Sequence, residues 1–477
     1  MALQPMMTVR HYCQGIGDSH LIKFRKADGS DFFMLIDCGV HSSVSGGTAT
    51  MARIVEDIAA ATGGRIDVLV VTHEHWDHVS AFLTAADAFK DLKVGAVWMG
   101  WTENPDEEAV KELDKFKSLA GKVTQRAALA LSPKSAGLSK TVRDGLVALS
   151  GFQFGLKGER VRNAREAAKA LAKDGPTYLD PETAPFGLPD VAGVRIYVLG
   201  PPRKRDLLKL TTRESEMYHV GLSKALSLAN AIDATPALSD QGVEIDMYAP
   251  FDIVEGKPLD RALRNELKPD EDKNADIVAL LESHYAGASG TDAGDQSWRR
   301  IDDDWLYAAA DLALQYDSRT NNTSLVLAFE FIDSGRVALF AADAQVGNWL
   351  SWQDLEWDID GTKVTGPDLL RRTVYYKVGH HGSENATLEA KGLELMVNPD
   401  LSAFIPTNAT DALKVGWGRM PFDKILDRLM EKASGRVIRS DDPWVAKAGK
   451  GPHAALASGS ILSVDHEPGL WVELGIG

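Results

Sequence analysis

The chain is poor in the features that mark secreted, membrane-spanning or polyanion-binding proteins. Two cysteines, Cys13 and Cys38, stand among 477 residues. That is too few for a disulfide framework and fits reduced, semi-buried thiols of a cytoplasmic protein. No apolar run approaches the roughly 18 residues that a bilayer-spanning helix requires. The opening MALQPMMTVRHYC has no basic stretch followed by a long apolar one, so no secretory signal is expected. Positive charge is in deficit too: 52 Lys and Arg face 68 Asp and Glu, a formal net charge of -16. Such a balance argues against a duplex-binding surface. Internal repeats are absent, and low complexity is confined to the Gly/Ser/Asp stretch HYAGASGTDAGDQS.

What remains is an ordinary globular composition, 44% hydrophobic and 25% charged, long enough for a large core with insertions. HLIKF and FFMLID, separated by KADGSD, predict a β-hairpin. TATMARIVEDIAAATGG predicts a helix stopped by two glycines. IDVLVVT reads as a strand buried on both faces, SAFLTAADAFKDL as a second helix and VGAVWMG as a further strand. From about Thr102 to Asp190 the chain becomes charged, Ala/Leu-rich and helically periodic. VRIYVLGPP returns to strand. NTSLVLAFEFI and RVALFAAD, joined by DSG, predict a second hairpin, and TVYYKVGHHGS a strand ending in histidines. SAFIPT, PFDKILDRLMEKA and RVIRS form a strand, helix and strand; SILSV and LWVEL follow as strands. The expected segmentation is one half of a core at 1–101, a helical insertion at 102–190, a return strand plus mixed insertion at 191–319, and the second half of the core at 320–477.

Chemistry concentrates in VVTHEHWDHVS, residues 70–80. From extended or turn backbone, His73 and His75 aim at one point, while the adjacent Asp77 and His78 serve a second point nearby. Imidazole and carboxylate are ligands that suit zinc, iron or manganese. Other strand ends carry the same kinds of side chain: Asp37 after FFMLI, Asp343 in LFAAD, His380 and His381 in YYKVGHHGS. A polar turn explains one such end. Four that carry only metal-compatible groups form a constellation, at the strand termini where α/β proteins build sites.

HEHWDH resembles the HxHxDH signature of the metallo-β-lactamase fold superfamily, and the order Asp37, the 73–78 cluster, Asp343 and GHHGS is similar as well. Within the superfamily, the chain resembles the hydrolase domain of ComEC-type competence proteins. The likeness rests on QGIGDSHLIKF, NNTSLVL, LFAADA, YKVGHHGS and FIPTNA with MPFDKILDRL and RVIRSD, over roughly residues 8–100 and 320–475. It implies an α/β fold, the four-layer αββα sandwich, here with a large mostly helical insertion. It also implies two divalent metal ions, zinc or manganese, with iron compatible. His73 and His75 would hold the first, Asp77 and His78 the second, with Asp343 bridging the two and His380 completing the coordination of the second metal. His381 is then a substrate contact or proton donor, although these two adjacent histidines can be exchanged at this level. Asp77 would orient the attacking water or relay its proton.

One position departs from the superfamily. The histidine usual before Asp343 is missing, with Asn322 and Ser324 in its neighbourhood, which puts the second metal in question. His219 and His284 are stand-ins by chain position, each read more simply as a loop histidine. Asp18 in GIGDSHL reads as a structural turn residue; His11, His20, His41, His453 and His466 read as ordinary.

The activity so implied is hydrolysis by metal-activated water, on a phosphodiester substrate with nucleic acid among the candidates. Arg203, Lys204, Arg205, Arg371 and Arg372 are candidate phosphate contacts or else solvated faces. The same site supports acyl, thioester or lactone hydrolysis. A third reading is a metal-stabilised binding protein in which 102–190 recognises a partner. No membrane partner is expected. Lying between the first metal motif and Asp343, residues 102–190 are expected to form a lid or wall over the site.

Overall fold

The computed structural model describes residues 4–115, 117, 160–210, 213–217, 279–280, 319–414, 419–449 and 451–477. The chain divides into two compact units, one of 1–121, 147–223 and 314–477 and the other of 122–146 and 224–313. Apart from 279–280, the described residues belong to the first. His219, His284, the Gly/Ser/Asp stretch and residues 118–159 of the expected insertion lie outside the described residues.

Among the described residues an eight-stranded sheet gathers β1 (Met7–Tyr12), β2 (Ser19–Arg25), β3 (Asp31–Cys38), β4 (Arg65–Val71), β5 (Lys93–Gly100) and β6 (Pro176–Leu179) with β15 (Ile461–Glu467) and β16 (Trp471–Ile476). Its order is β15-β16-β1-β2-β3-β4-β5-β6. A six-stranded sheet has the order β14-β13-β12-β9-β8-β7, from β7 (Val194–Gly200), β8 (Val326–Phe331), β9 (Arg336–Phe340), β12 (Thr373–Lys377), β13 (Ser402–Ile405) and β14 (Val437–Arg439). A small hairpin pairs β10 (Glu356–Ile359) with β11 (Thr362–Thr365). Both predicted hairpins are present, as antiparallel β2 with β3 and β8 with β9.

Period-two alternation along the strands sorts side chains into separate cores. One core draws from both sheets, with Val9, Ile22, Met34 and Val70 meeting Ile196, Phe329, Phe340 and Phe404. The alternate residues Leu35, Leu69, Val71 and Val97 pack instead on helix α1 (Gly47–Thr62), α2 (Trp76–Thr84) and α4 (Arg160–Lys169), the short α3 (Ala86–Phe89) lying beside them. On the second sheet, Tyr197, Ala328, Leu339 and Tyr376 pack on α5 (Val346–Ser351), α6 (Gly366–Arg371) and α7 (Asp423–Lys432). Helix α1 ends as its two glycines predict, with Gly63 in the left-handed conformation. No helix among the described residues is long and apolar enough to cross a membrane.

Two elements differ from expectation. Helix α2 begins at Trp76 and not at Ser80, so Asp77 and His78 sit in its first turn. The polar motif masks that start, because apolar periodicity begins only at Val79. The 102–190 stretch is also not uniformly helical. Pro176–Leu179 is a strand of the larger sheet, parallel to β5, and α4 buries Val161, Ala164 and Ala168 against the same core as α2. The C-terminal part of that stretch is thus built into the first unit.

Candidate metal centre

Five chain segments bring the titratable groups together. The end of β3 carries Asp37, the turn after β4 carries His73 and His75, and the first turn of α2 carries Asp77 and His78. The turns after β9 and β12 carry Asp343 and the pair His380–His381. His75 is still extended, at φ -98 and ψ 149, before the helix starts. A carboxylate in that first turn is favoured by the helix dipole. Close approach of the segments demands small residues. A Cβ on Gly39 would lie 2.4 Å from the Asp77 carbonyl, so only glycine lets α2 settle against the end of β3. Asp37, Ala342, His380 and His381 all have positive φ, 55, 48, 43 and 55. Each such residue costs about 1–3 kcal/mol, and strain of this kind gathers at functional sites.

His73, His75, Asp77, His78, Asp343 and His381 are each at most 1% exposed. They form two groups whose ligand atoms lie within 4.8 Å of one another: His73, His75 and Asp343 in one, Asp77, His78, Asp343 and His381 in the other. Asp343 belongs to both. Its Oδ2 is 3.1 Å from His78 Nε2 and 3.9 Å from His73 Nε2. The His380 ring is placed differently, with Nδ1 2.6 Å from Ser383 Oγ and 3.3 Å from Gln345 Nε2, while its backbone N–H donates to Asp343 Oδ1 at 3.1 Å. The structure therefore gathers His381, but not the His380 ring, with the other donors.

Asp37 organises this centre from behind. It accepts three hydrogen bonds, from Thr72 N at 2.8 Å, Thr72 Oγ1 at 2.6 Å and His78 Nδ1 at 2.7 Å. With its one proton committed to Asp37, the Thr72 hydroxyl accepts from His73 Nδ1 at 3.0 Å. The protons on His73 and His78 are thereby placed on Nδ1; His78 Nε2 faces Asp343, and His73 Nε2 faces His75 Nδ1 at 3.0 Å with Asp343 beyond it. His381 follows the same rule: its Nδ1 donates to the Pro406 carbonyl at 2.6 Å, leaving Nε2 facing Asp77 Oδ2 at 3.0 Å.

This arrangement tests whether cations fit. An imidazole lone pair and a carboxylate oxygen repel unless a proton or a cation lies between them. His78 Nε2, Asp77 Oδ1 and Asp343 Oδ2 are buried and make no hydrogen bond among the described residues. For the chain alone, burial opposes charge on His78, yet the carboxylates of Asp343, Asp77, Asp37 and Asp18 outweigh it and raise its pKa well above the usual value. Burial likewise opposes charge on His381, and Asp77 and Asp343 raise it. Burial lowers His73 and takes His75 to about 3, which keeps those rings neutral as ligation requires. Two neutral imidazoles, two more that the carboxylates draw toward positive charge, and inward-facing atoms lacking partners among the described residues make a donor set that fits divalent cations, whose charge would take the place of those protons.

Residues outside the expected set complete the electrostatics. Lys377, 1% exposed, forms an ion pair with Asp18, whose carboxylate also lies 3.5 Å from His20 Nε2 and 4.0 Å from His78 Nδ1. A buried relay leads to it: the Tyr375 hydroxyl meets His11 Nε2, and His11 Nδ1 is 2.9 Å from His20 Nδ1. Neutral rings satisfy every link if Tyr375 donates to His11, His11 to His20 and His20 to Asp18. Asp18 is therefore an anionic hub between the sheets and more than a turn residue, and His11 and His20 are part of its support. Asn322 and Ser324 do not take the place of the missing histidine. Asn322 Nδ2 donates to Leu210 O at 2.7 Å and its Oδ1 accepts from Asn348 N, while Ser324 Oγ accepts from Asp343 N at 3.3 Å. They hold backbone. Each candidate phosphate contact meets a carboxylate: Arg203 with Glu107 and Asp180, Lys204 with Asp354, Arg205 with Glu112, Arg371 with Asp368 and Arg372 with Glu330.

The motif segment of this centre matches a family model, that of the metallo-beta-lactamase superfamily, over residues 14–157. Residues 14–157 carry a metallo-beta-lactamase superfamily domain. No curated protein and no solved structure gives a significant match to the chain. The superfamily consists generally of metallo-hydrolases, and the buried His/Asp groups, formed by residues of the matched segment together with Asp343 and His381, are of the kind that holds divalent metal.

Proposed function

We propose that this protein is a two-metal hydrolase of phosphodiesters, acting in the cytoplasm. The observation that carries the reading is the pair of buried donor groups sharing Asp343. His73, His75 and Asp343 would hold one ion, and Asp77, His78, Asp343 and His381 the other. Divalent ions so held lower the pKa of water toward neutrality and stabilise negative charge on the oxygens of the substrate. The side chains do the rest. Asp37 fixes the ligand tautomers of His73 and His78, the first through Thr72. Asp77 Oδ1, which makes no hydrogen bond among the described residues, would take the proton that the attacking water gives up. The half-buried His380 ring, beside Gln345 and Ser383, contacts substrate or donates a proton to the leaving group, exchanging roles with His381.

The ComEC-type motifs support the phosphodiester, and the three cores, one shared by both sheets and one on each outer side, support the αββα sandwich. With manganese or zinc, the chain is expected to cleave a chromogenic bis-aryl phosphodiester, and His75→Ala or Asp343→Asn to abolish cleavage. Absence of turnover with every divalent metal tried removes the reading. One observation favours an acyl, thioester or lactone hydrolase instead: the five basic residues singled out for phosphate are all engaged by carboxylates. Turnover of thioesters or lactones without phosphodiesters selects that alternative.

A further inference from the structure

The residue between the two leading histidines has no place in the proposed chemistry. Glu74 lies between His73 and His75 at a bend in the turn after β4, and its contacts lie apart from theirs. While the imidazoles face Asp343, the Glu74 carboxylate enters a second buried cluster. Its Oε1 accepts from Lys117 Nζ at 2.7 Å and its Oε2 from Arg165 Nη1 at 2.7 Å. The same Arg165 nitrogen donates to Glu103 Oε2 at 2.9 Å, and Lys117 Nζ lies 3.9 Å from Glu103 Oε1. The four side chains are no more than 10% exposed. Two carboxylates face two cations, so the charges cancel.

The origin of the two cations is what gives the cluster meaning. Glu74 and Glu103 belong to the metal-motif turn and to the turn after β5. Lys117 and Arg165 flank residues 118–159, one from each side of the excursion that separates β5 from β6. We propose that Lys117 and Arg165 are positioning residues of the metal centre: by gripping Glu74 they set the alignment of His73 and His75. The proposal rests on the metal-centre reading. It assigns these two residues a role behind the ligands. Each oxygen of the Glu74 carboxylate is met by a buried cationic group, so the grip is an ion pair on both sides. Removing any one member leaves the remaining buried charges unbalanced, and the turn must shift to bring them toward water.

The test measures zinc binding to the full chain by competition with a chromogenic chelator, and amide exchange of residues 72–78 in metal-free protein. Glu74→Gln keeps the shape and removes the charge, and Arg165→Met removes one arm. Arg203→Met, which breaks an ion pair with Glu107 and Asp180 elsewhere, is the control. Loss of an outer-shell partner typically weakens metal binding 10–100-fold. Glu74→Gln and Arg165→Met are expected to fall within about that range, with exchange of 72–78 at least about tenfold faster, while Arg203→Met leaves both unchanged. Should Arg165→Met fail to fold, Glu74→Gln decides. A parent that binds zinc and a Glu74→Gln variant that binds it within twofold, with unchanged exchange, overturn the proposal alone. A parent that binds neither zinc nor manganese overturns the metal-centre reading, and this proposal with it.

Discussion

Asp37→Asn is the most informative single change, because it alters protons without altering shape. The residue is fully buried at φ 55, a conformation that asparagine tolerates as readily as aspartate. Aspartate accepts from three donors, Thr72 N, Thr72 Oγ1 and His78 Nδ1. An amide has one oxygen. If it faces Thr72 N, the NH2 group faces His78 Nδ1, which must then accept; the ring proton moves to Nε2 and closes the lone pair directed at Asp343. If the amide flips, its NH2 opposes the Thr72 N–H, and a buried donor goes unmatched at a cost of about 1–3 kcal/mol. Either way the ligand set is damaged. Outer-shell losses of this kind weaken metal binding about 10–100-fold, equivalent to about 1.4–2.8 kcal/mol. Zinc competition with a chromogenic chelator gives the affinity, and nitrogen NMR of the imidazoles gives the His78 tautomer. Zinc affinity within twofold of the parent, with His78 Nε2 still unprotonated, would refute the argument.

Lys377→Met strands the Asp18 carboxylate between the sheets and should cost about 3–5 kcal/mol in urea unfolding; adding Asp18→Asn should return part of it, and a single-variant loss below about 1 kcal/mol contradicts the assigned pairing. At the surface, hydrogen bonds from Arg428 hold the Glu394 carboxyl at about 2, below its ordinary 4.5. The sign follows from the lower folded pKa: this pair stabilises above about pH 4.5 and loses its contribution as pH falls through about 2. The stability difference between metal-free parent and Arg428→Ala, no more than about 1 kcal/mol after solvent screening, should therefore be flat at neutral pH and shrink across that interval. A difference that grows on acidification would reverse the assignment.

Local signals were readable and long-range compensation was not. A continuous apolar run such as IDVLVVT declares a buried strand, and HEHWDH declares itself by spacing. Lys377 is the opposite case. In YYKVG a lysine reads as solvent-facing, and the acid that permits its burial stands 359 positions earlier. Asp37 was visible as a strand-end carboxylate, but its command over His78 and Thr72 depends on β3 and β4 lying side by side in parallel register. The histidine pair after β12 could not be ordered because His380 and His381 both adopt positive φ, which breaks the alternation that sequence reasoning uses. The basic run at 203–205 looked like a phosphate contact only while its partners, Glu107, Asp180, Asp354 and Glu112, were out of sight.

The placement of β16 between β15 and β1 has a consequence for how the molecule is made. The edge of β1 leaves the ribosome long before its permanent neighbour, which spans Trp471–Ile476. At 5–20 residues per second the nascent chain carries that raw edge for on the order of a minute. Unpaired strand edges recruit other strands. Chaperone demand and aggregation during expression should thus track the interval before β16 arrives, and a chain stopped short of it would keep a metal motif yet leave an adhesive seam along the larger sheet.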